Sequence, residues 1–364
     1  MVLNSFEKNT KINNSSVIEK EPPFDWVKGF EFAPAEEQFV SLTKGAGLRK
    51  ISGEGITEVK GSDALDYLHR ISTNSIKNLE KNFFARTTFT TEKGRIIDSV
   101  GILNFGEFLL LAGSGFNQNK VAGWIRKYII QDDVKVVNYD GRFIFFELSG
   151  PQADSFIRLI VGNEINKIEV NQFKEYFVEE MDIFILKLKD FNGNLKYWIF
   201  ASPVYAQKMV SYMLENRGVF DFNLISDEVY NAFRIDAGIS DAPGELNDQF
   251  NPLEVNLTGE LCGKKGCYVG QEVLARLDTY DKVQRVVLKA AFDAAPDERG
   301  RYILYDMNTV PVGEITSKAM HPVSKKYIGL AVIKKNSLNA GDIVNAKSEF
   351  GSVNVELIKL NNKK

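Results

Sequence analysis

The run Lys265-Gly266-Cys267-Tyr268-Val269-Gly270-Gln271-Glu272 sets a thiol between glycines, directly after Gly263 and Lys264. A cysteine kept for packing sits in an apolar run, whereas this one follows a polar, flexible segment and is expected at the surface. Ammonium groups close by favour thiolate over thiol, which predicts a Cys267 more reactive than free cysteine. Cys262 is the other cysteine of the chain. It reads as a spectator, with pairing to Cys267 through the intervening loop as the alternative that a reducing compartment disfavours.

Around the thiol, Gly266 and Gly270 allow backbone conformations or close approaches that a side chain would forbid. Gln271 and Glu272 open a helix predicted over residues 272–277, where a carboxylate suits the N-terminal dipole. Lys265 and Arg276 read as solvated charges or as anion contacts. Metal chemistry is narrowly bounded, because Cys262, Cys267, His69 and His321 are the whole thiol and imidazole inventory. One chain cannot build a closed all-thiolate site from them, and neither histidine has a nucleophile or metal partner at informative spacing. A serine elbow, a phosphate loop and a dinucleotide fingerprint are all missing from the sequence, which disfavours those enzyme classes.

These residues need elements to hold them. Helical spacing falls on residues 35–43, 62–70 (with Ser62 as N-cap), 117–128, 153–159, 204–216 and 227–236. Strand patterns fall on 94–103, 107–112, 142–148, 182–188 and 196–201. After Lys282 only short strands follow, over 284–292, 302–305, 312–317, 326–332, 342–346 and 352–358, which predicts a small all-β terminal domain. The division expected is a flexible polar tail over 1–24, a core over 25–283 and a β-domain over 284–364.

With 364 residues, 44% of them hydrophobic, the chain can bury a substantial core. A net charge of −3 from 45 basic and 48 acidic residues gives no global field to gather nucleic acid or anionic lipid. No apolar run reaches the roughly 18 residues of a membrane span. The first 24 residues show neither an apolar signal core nor the Arg-rich, acid-poor bias expected of a transit peptide, and two cysteines in so long a chain fit a reducing compartment, with the cytoplasm as the expected location.

Taken together, Arg234-Ile235-Asp236-Ala237-Gly238-Ile239, Asn251-Pro252-Leu253-Glu254, residues 265–272 and Ala275-Arg276-Leu277 resemble a YgfZ-type protein in order and spacing. That family is related to the folate-dependent aminomethyltransferase of the glycine cleavage system. Val59-Lys60-Gly61-Ser62-Asp63-Ala64, Leu148-Ser149-Gly150-Pro151 and Val312-Gly313-Glu314-Ile315-Thr316-Ser317 extend the likeness over residues 26–358. The resemblance implies an α+β fold: an aminomethyltransferase-like three-domain arrangement around a central opening, with two interwoven subdomains and a small terminal β-barrel.

It further implies a folate-binding accessory protein in iron–sulfur cluster assembly or repair. Such a protein uses tetrahydrofolate or a derivative, and supports cluster enzymes such as those that thiomethylate transfer RNA. Its partners would be iron–sulfur assembly proteins or cluster-dependent apoenzymes, with no direct nucleic-acid binding and no membrane. Cys267 would be the functional thiol and a transient cluster ligand within the motif Lys265, Gly266, Tyr268, Gly270, Gln271, Glu272 and Arg276.

Folate contacts fall on Asp98, in the segment where aminomethyltransferases place paired acids, and on Arg234. Two departures weigh against transfer chemistry. Ser99 stands where the second acid would be, and residues 190–196 lack the glycine-tyrosine-threonine-glycine-glutamate pattern. The alternative is a folate-dependent aminomethyl transferase working through Asp98, and a thiol redox protein without folate is a third reading.

Overall fold

The structure, a computed structural model, describes residues 28–51, 54–138, 143–190, 192–306 and 308–360. The tail expected over 1–24 therefore lies outside the described residues. The chain divides into two units, Met1–Glu31 and Phe32–Lys364, and the fold below is that of the second.

Strand β1 (Ala46–Lys50) begins a first sheet, which the chain then leaves. It next builds a second sheet in full from β2 (Glu54–Lys60), β3 (Phe84–Thr90), β4 (Ile96–Asn104), β5 (Leu109–Ser114) and β6 (Lys135–Asn138), in the order β3-β4-β5-β2-β6. Only then does it return to add β7 (Ile144–Ser149), β8 (Phe173–Val178), β9 (Met181–Lys189), β10 (Leu195–Ala201) and β11 (Phe222–Leu224) to the first, in the order β11-β1-β7-β10-β9-β8. The register places Leu48 opposite Leu148, and β1 runs parallel to β11. The two sheets are stitched by backbone bonds, Phe84 to Asn171 O at 2.7 Å and Phe173 to Asn82 O at 2.8 Å.

Strand β4 carries the candidate residue Asp98. All nine of its residues are buried, and its sequence Ile-Ile-Asp-Ser-Val-Gly-Ile-Leu-Asn is apolar through its middle except at Asp98 and Ser99. Consecutive residues of a strand point to opposite faces, so these two side chains enter different environments.

Helix α1 (Ala35–Thr43) has the bounds read from its spacing. Helix α2 (Ala64–Ile71) buries Ala64, Tyr67, Leu68 and Ile71, a helical stripe that packs with Val59, Phe89 and Ile102 of the second sheet. The expected cap differs: Asp63 occupies the N-cap position, and the Ser62 hydroxyl instead donates to Asp133 Oδ2 at 3.1 Å. Helices α3 (Gln118–Lys127), α4 (Ala153–Val161) and α5 (Ala206–Glu215) follow close to their predicted ranges. Helix α6 (Asp227–Ala237) is capped by Ser226, whose Oγ accepts from Val229 N–H at 3.3 Å, and ends at Gly238 in the left-handed region with φ 73°. Helix α7 (Gln271–Thr279) follows the motif and is longer than predicted.

The terminal strands β12 (Arg285–Phe292), β13 (Ile303–Tyr305), β14 (Pro311–Met320), β15 (Tyr327–Lys334), β16 (Ile343–Ser348) and β17 (Gly351–Ile358) close a barrel in the order β12-β15-β14-β13-β16-β17. Closure removes the exposed sheet edges, and Ala290, Leu304, Ile333, Ala346 and Val355 fill the interior. The barrel sits against the rest through one apolar cluster that joins Ile235 of α6, Ile96 of β4 and Phe250 to Val287 and Leu330.

Candidate functional site

The segment leading to Cys267 is fastened to the second sheet before the thiol is reached. At the 3₁₀ turn Thr258–Glu260, the Glu260 carboxylate is buried and accepts the hydroxyls of Thr88 at 2.6 Å and Ser99 at 2.8 Å. The Glu260 carbonyl accepts from Thr73 Oγ1 at 2.7 Å, and Cys262 N–H donates to Thr73 O at 3.1 Å. Sequence reasoning misses Glu260, for it is an isolated acid in a polar loop, with nothing in its spacing to mark it as buried.

Lys265 is expected in solvent or on an anion, with its charge favouring the Cys267 thiolate. The structure places it elsewhere. It is buried, and its ammonium donates to the carbonyls of His69, Ser72 and Asn74 at 2.5, 2.6 and 2.7 Å, while lying 5.1 Å from the centre of the Tyr268 ring. Burial pulls its pKa down to about 8, and the thiol whose field opposes that shift is Cys262. The neighbouring Lys264 is exposed.

Beyond Lys265 the chain rises into solvent. Gly266 and Cys267 are exposed, Cys262 is half-buried, and Tyr268 turns back to half-burial. The descent is fixed by Thr90 Oγ1, which donates to Val269 O at 3.0 Å, and by Gly270. Gly270 has φ 84°, and a Cβ there would lie 2.6 Å from Thr91 O, so only glycine fits. No such constraint falls on Gly266, where an added Cβ meets nothing within 4 Å. Gln271 then opens α7, and Glu272 and Arg276 form an exposed pair at 3.1 Å, one helical turn apart.

Asp98 lies on the opposite face of β4 from Ser99. It is fully buried, accepting Ser114 N–H at Oδ2 (2.8 Å) and, more distantly, Asn117 Nδ2 at Oδ1 (3.4 Å). A Cβ on Gly113 would lie 2.8 Å from Oδ2, so glycine makes room for the carboxyl. Burial pushes its pKa up to about 7, against the opposing effect of the Ser114 and Asn117 bonds and the Arg86 charge. Asn117 is itself buried, its Nδ2 donating also to Leu246 O at 3.1 Å and its Oδ1 left without a partner among the described residues. A small cavity beside Asp98 is lined also by Thr57, Gln118 and Gly113.

Arg234 does not share that cavity. It lines a cleft of about 400 Å³ between α6, the 243–250 segment and β14, together with Asn247, Phe250, Arg301, Glu314 and Lys318. Its guanidinium is largely engaged from within, donating to Glu245 Oε2 at 3.1 Å, Ser317 Oγ at 2.8 Å and Asn231 Oδ1 at 2.9 Å. The segment between the two sites touches both. Leu246 O holds Asn117, Phe250 O accepts Ile96 N–H at 3.0 Å, and Phe250 is also a wall of the cleft.

A further buried acid escapes the sequence reading. Glu147 is bonded to Arg49 at 3.3 Å, Lys196 at 2.8 Å and Trp198 Nε1 at 3.1 Å, and these partners hold its carboxyl well below the usual range despite burial. The Arg49 guanidinium lies 3.4 Å from the centre of the Tyr230 ring. Of the histidines, His69 Nδ1 accepts Ile76 N–H at 3.2 Å, and His321 Nδ1 accepts the N–H groups of Val323 and Ser324 at 3.2 Å. Among the described residues, no group of three or more His, Cys, Asp or Glu side chains is arranged to hold a metal ion, and no helix is long and apolar enough to cross a membrane.

Two interwoven sheets and a closed barrel define the aminomethyltransferase fold. The crystal structure of glycine cleavage system aminomethyltransferase T from Bartonella henselae superposes with a TM-score of 0.74 at 15% identity, covering 99% of this chain and 96% of that one. The chain belongs to the GCVT family: the model described as the GCVT N-terminal domain matches residues 15–264, a stretch that ends before Cys267. Similar proteins include an aminomethyltransferase of Bacillus mycoides (strain KBAB4), 25% identical over 312 residues that cover 85% of this chain and 84% of the relative. An aminomethyltransferase of Staphylococcus carnosus (strain TM300) is 22% identical over 341 residues, covering 92% of each.

Proposed function

We propose that this protein is a folate-binding member of the family that serves iron–sulfur cluster assembly or repair in the cytoplasm, with Cys267 as its working thiol. The observation that carries this reading is the mounting of Cys267. An exposed sulfur stands on a loop anchored on one side by Glu260, Cys262 and Lys265, and on the other by Val269 and Gly270. An exposed thiol on a fixed mount suits action on a partner protein. One thiolate is too few to hold a cluster, so the remaining ligands come from the partner or from a small thiol. Assembly proteins or cluster-dependent apoenzymes, such as those that thiomethylate transfer RNA, are the partners this implies.

The cleft at Arg234 has the chemistry a reduced folate asks for. Arg301 and Lys318 supply cations for the glutamate carboxylates and Phe250 supplies an aromatic wall. Arg301 is paired with Glu314 (Nε to Oε2 at 3.0 Å) and Lys318 donates to Gly300 O at 2.6 Å. A bound folate would exchange these partners and leave the Glu314 carboxylate for ring nitrogens, while Arg234 stays engaged by Glu245 and Ser317. The cleft volume of about 400 Å³ falls within the range of roughly 300–1,000 Å³ for small-molecule sites. When bound, the folate would supply a carrier for one-carbon units. Titration calorimetry with tetrahydrofolate tests this: binding weakened about tenfold or more by Arg301→Ala with Lys318→Ala supports the cleft, and undiminished binding removes it.

A second reading, folate-dependent aminomethyl transfer, is favoured by Asp98. A carboxyl whose pKa lies at about 7 can both take up and release a proton at neutral pH. The names of the relatives point the same way. Complementation of a strain deleted for this gene, with Cys267→Ser and Asp98→Asn compared, separates the two.

A further inference from the structure

We propose that Lys265 is a positioning residue, a three-carbonyl clamp that fixes the Cys267 loop by capping the C-terminal end of helix α2. The inference rests on the reading of Cys267 as the working thiol, and the clamp itself can be tested apart from it.

A helix leaves its last carbonyls without intrahelical partners and gathers partial negative charge at that end. At α2, Leu68 O is met by the hydroxyl of Ser72 at 2.8 Å. His69 O and the following Ser72 O and Asn74 O are met by one ammonium, which arrives from nearly two hundred residues along the chain. An ammonium has three N–H donors, and three carbonyls stand at 2.5–2.7 Å, so its donors match its acceptors one for one. The face of Tyr268 closes a further side at 5.1 Å.

The clamp sits two residues before Cys267, and the contacts of Glu260 and Cys262 to Thr73 lie just upstream. Releasing Lys265 would leave three carbonyls short of a donor and free the chain from Cys262 to Val269, the stretch that includes the exposed apex. Arginine would not substitute well, because its planar fork cannot point three donors at carbonyls clustered round one nitrogen.

Two measurements on the full chain test the clamp. The first is brief acetylation of the native protein by an N-hydroxysuccinimide ester, read residue by residue with mass spectrometry. An accessible amine with a pKa of about 8 would be among the fastest to react. The clamp predicts instead that Lys265 is acetylated at least tenfold more slowly than its exposed neighbour Lys264. Equal or faster acetylation of Lys265 overturns the proposal.

The second compares iodoacetamide labelling of the two thiols in the native protein and in Lys265→Met, with amide exchange over residues 262–269. The clamp predicts at least a tenfold rise in the labelling of half-buried Cys262 and a loss of amide protection confined to this loop. Unchanged Cys262 labelling and exchange in a folded variant overturns it. If Lys265→Met does not fold, acetylation of the native protein alone decides for or against the clamp. Failure of the functional reading looks different: Cys267→Ser would then complement a deletion strain, whatever the labelling shows.

Discussion

The hydroxyl of Ser99 donates to Glu260 Oε1 at 2.8 Å, which ties the strand bearing Asp98 to the segment that ends in Cys262. Glu260 also takes the Thr88 hydroxyl, and Arg86 Nη1 donates to Ser99 Oγ at 3.2 Å, so a carboxylate, two hydroxyls and a guanidinium make one network. A buried network of this kind is costly to leave half-made. Glu260→Ala strands two hydroxyls and is expected to lower stability by about 2–3 kcal/mol in urea unfolding, with Glu260→Gln costing less. A change within about 0.5 kcal/mol for Glu260→Ala would mean that water satisfies these hydroxyls.

Asp98 gives a pH test. Its folded pKa of about 7 lies above its ordinary value of 3.8. Between those values the folded state holds a proton that the unfolded state has released, so stability from this group is greatest at low pH and falls as pH rises towards 7. Above 7 both states are ionised and the full cost of burial stands. Asp98→Asn lacks this slope. Its stability relative to the native protein should therefore improve between pH 4.5 and pH 8, by about 1.4 kcal/mol per unit within the window. A pH-independent difference would show a carboxyl that is not perturbed.

Arg234 and Glu245 form a buried pair at 3.1 Å, with Glu245 also bonded to Ser317 and Thr316 of the barrel. Removing the guanidinium leaves a carboxylate buried and uncompensated. Arg234→Ala is expected to cost about 3–5 kcal/mol, and Arg234→Met with Glu245→Leu substantially less, by denaturant unfolding. Equal losses in the single and double variants would show that the pair does not act as a unit.

The glycines on either side of Cys267 differ in what they can tolerate. Gly270→Ala must accept φ 84° and a contact of 2.6 Å with Thr91 O, while Gly266→Ala meets open space. Thermal unfolding should show a loss of more than about 1 kcal/mol for Gly270→Ala and almost none for Gly266→Ala. Matching losses would mean that the loop is held differently.

The legible parts of the chain are those with a period. The last barrel strand alternates cleanly, and helices such as α2 and α6 show their apolar stripe, so their extents can be read within a few residues. Strand β3 is missed because Thr87, Thr88 and Thr90 are buried as polar groups rather than as apolar ones. Strand β8 is missed because only Phe173 and Tyr176 of its six residues are buried. The thiol stands out through its glycine-flanked, polar setting. The same setting misleads over Lys265, whose charge looks like a neighbour of Cys267 and instead faces carbonyls of a segment remote in sequence. Long-range pairings such as Glu260 with Ser99 and Arg234 with Glu245 have no periodic signature, and only the fold brings them together.

Rescue of transfer-RNA thiomethylation in a strain deleted for this gene, with the native protein, Cys267→Ser and Asp98→Asn expressed at matched levels, bears on the working thiol without intermediaries. A function carried by Cys267 requires rescue by the native protein and by Asp98→Asn, and no rescue by Cys267→Ser. Rescue by Cys267→Ser, with loss in Asp98→Asn, would contradict it and place the function on the buried carboxyl.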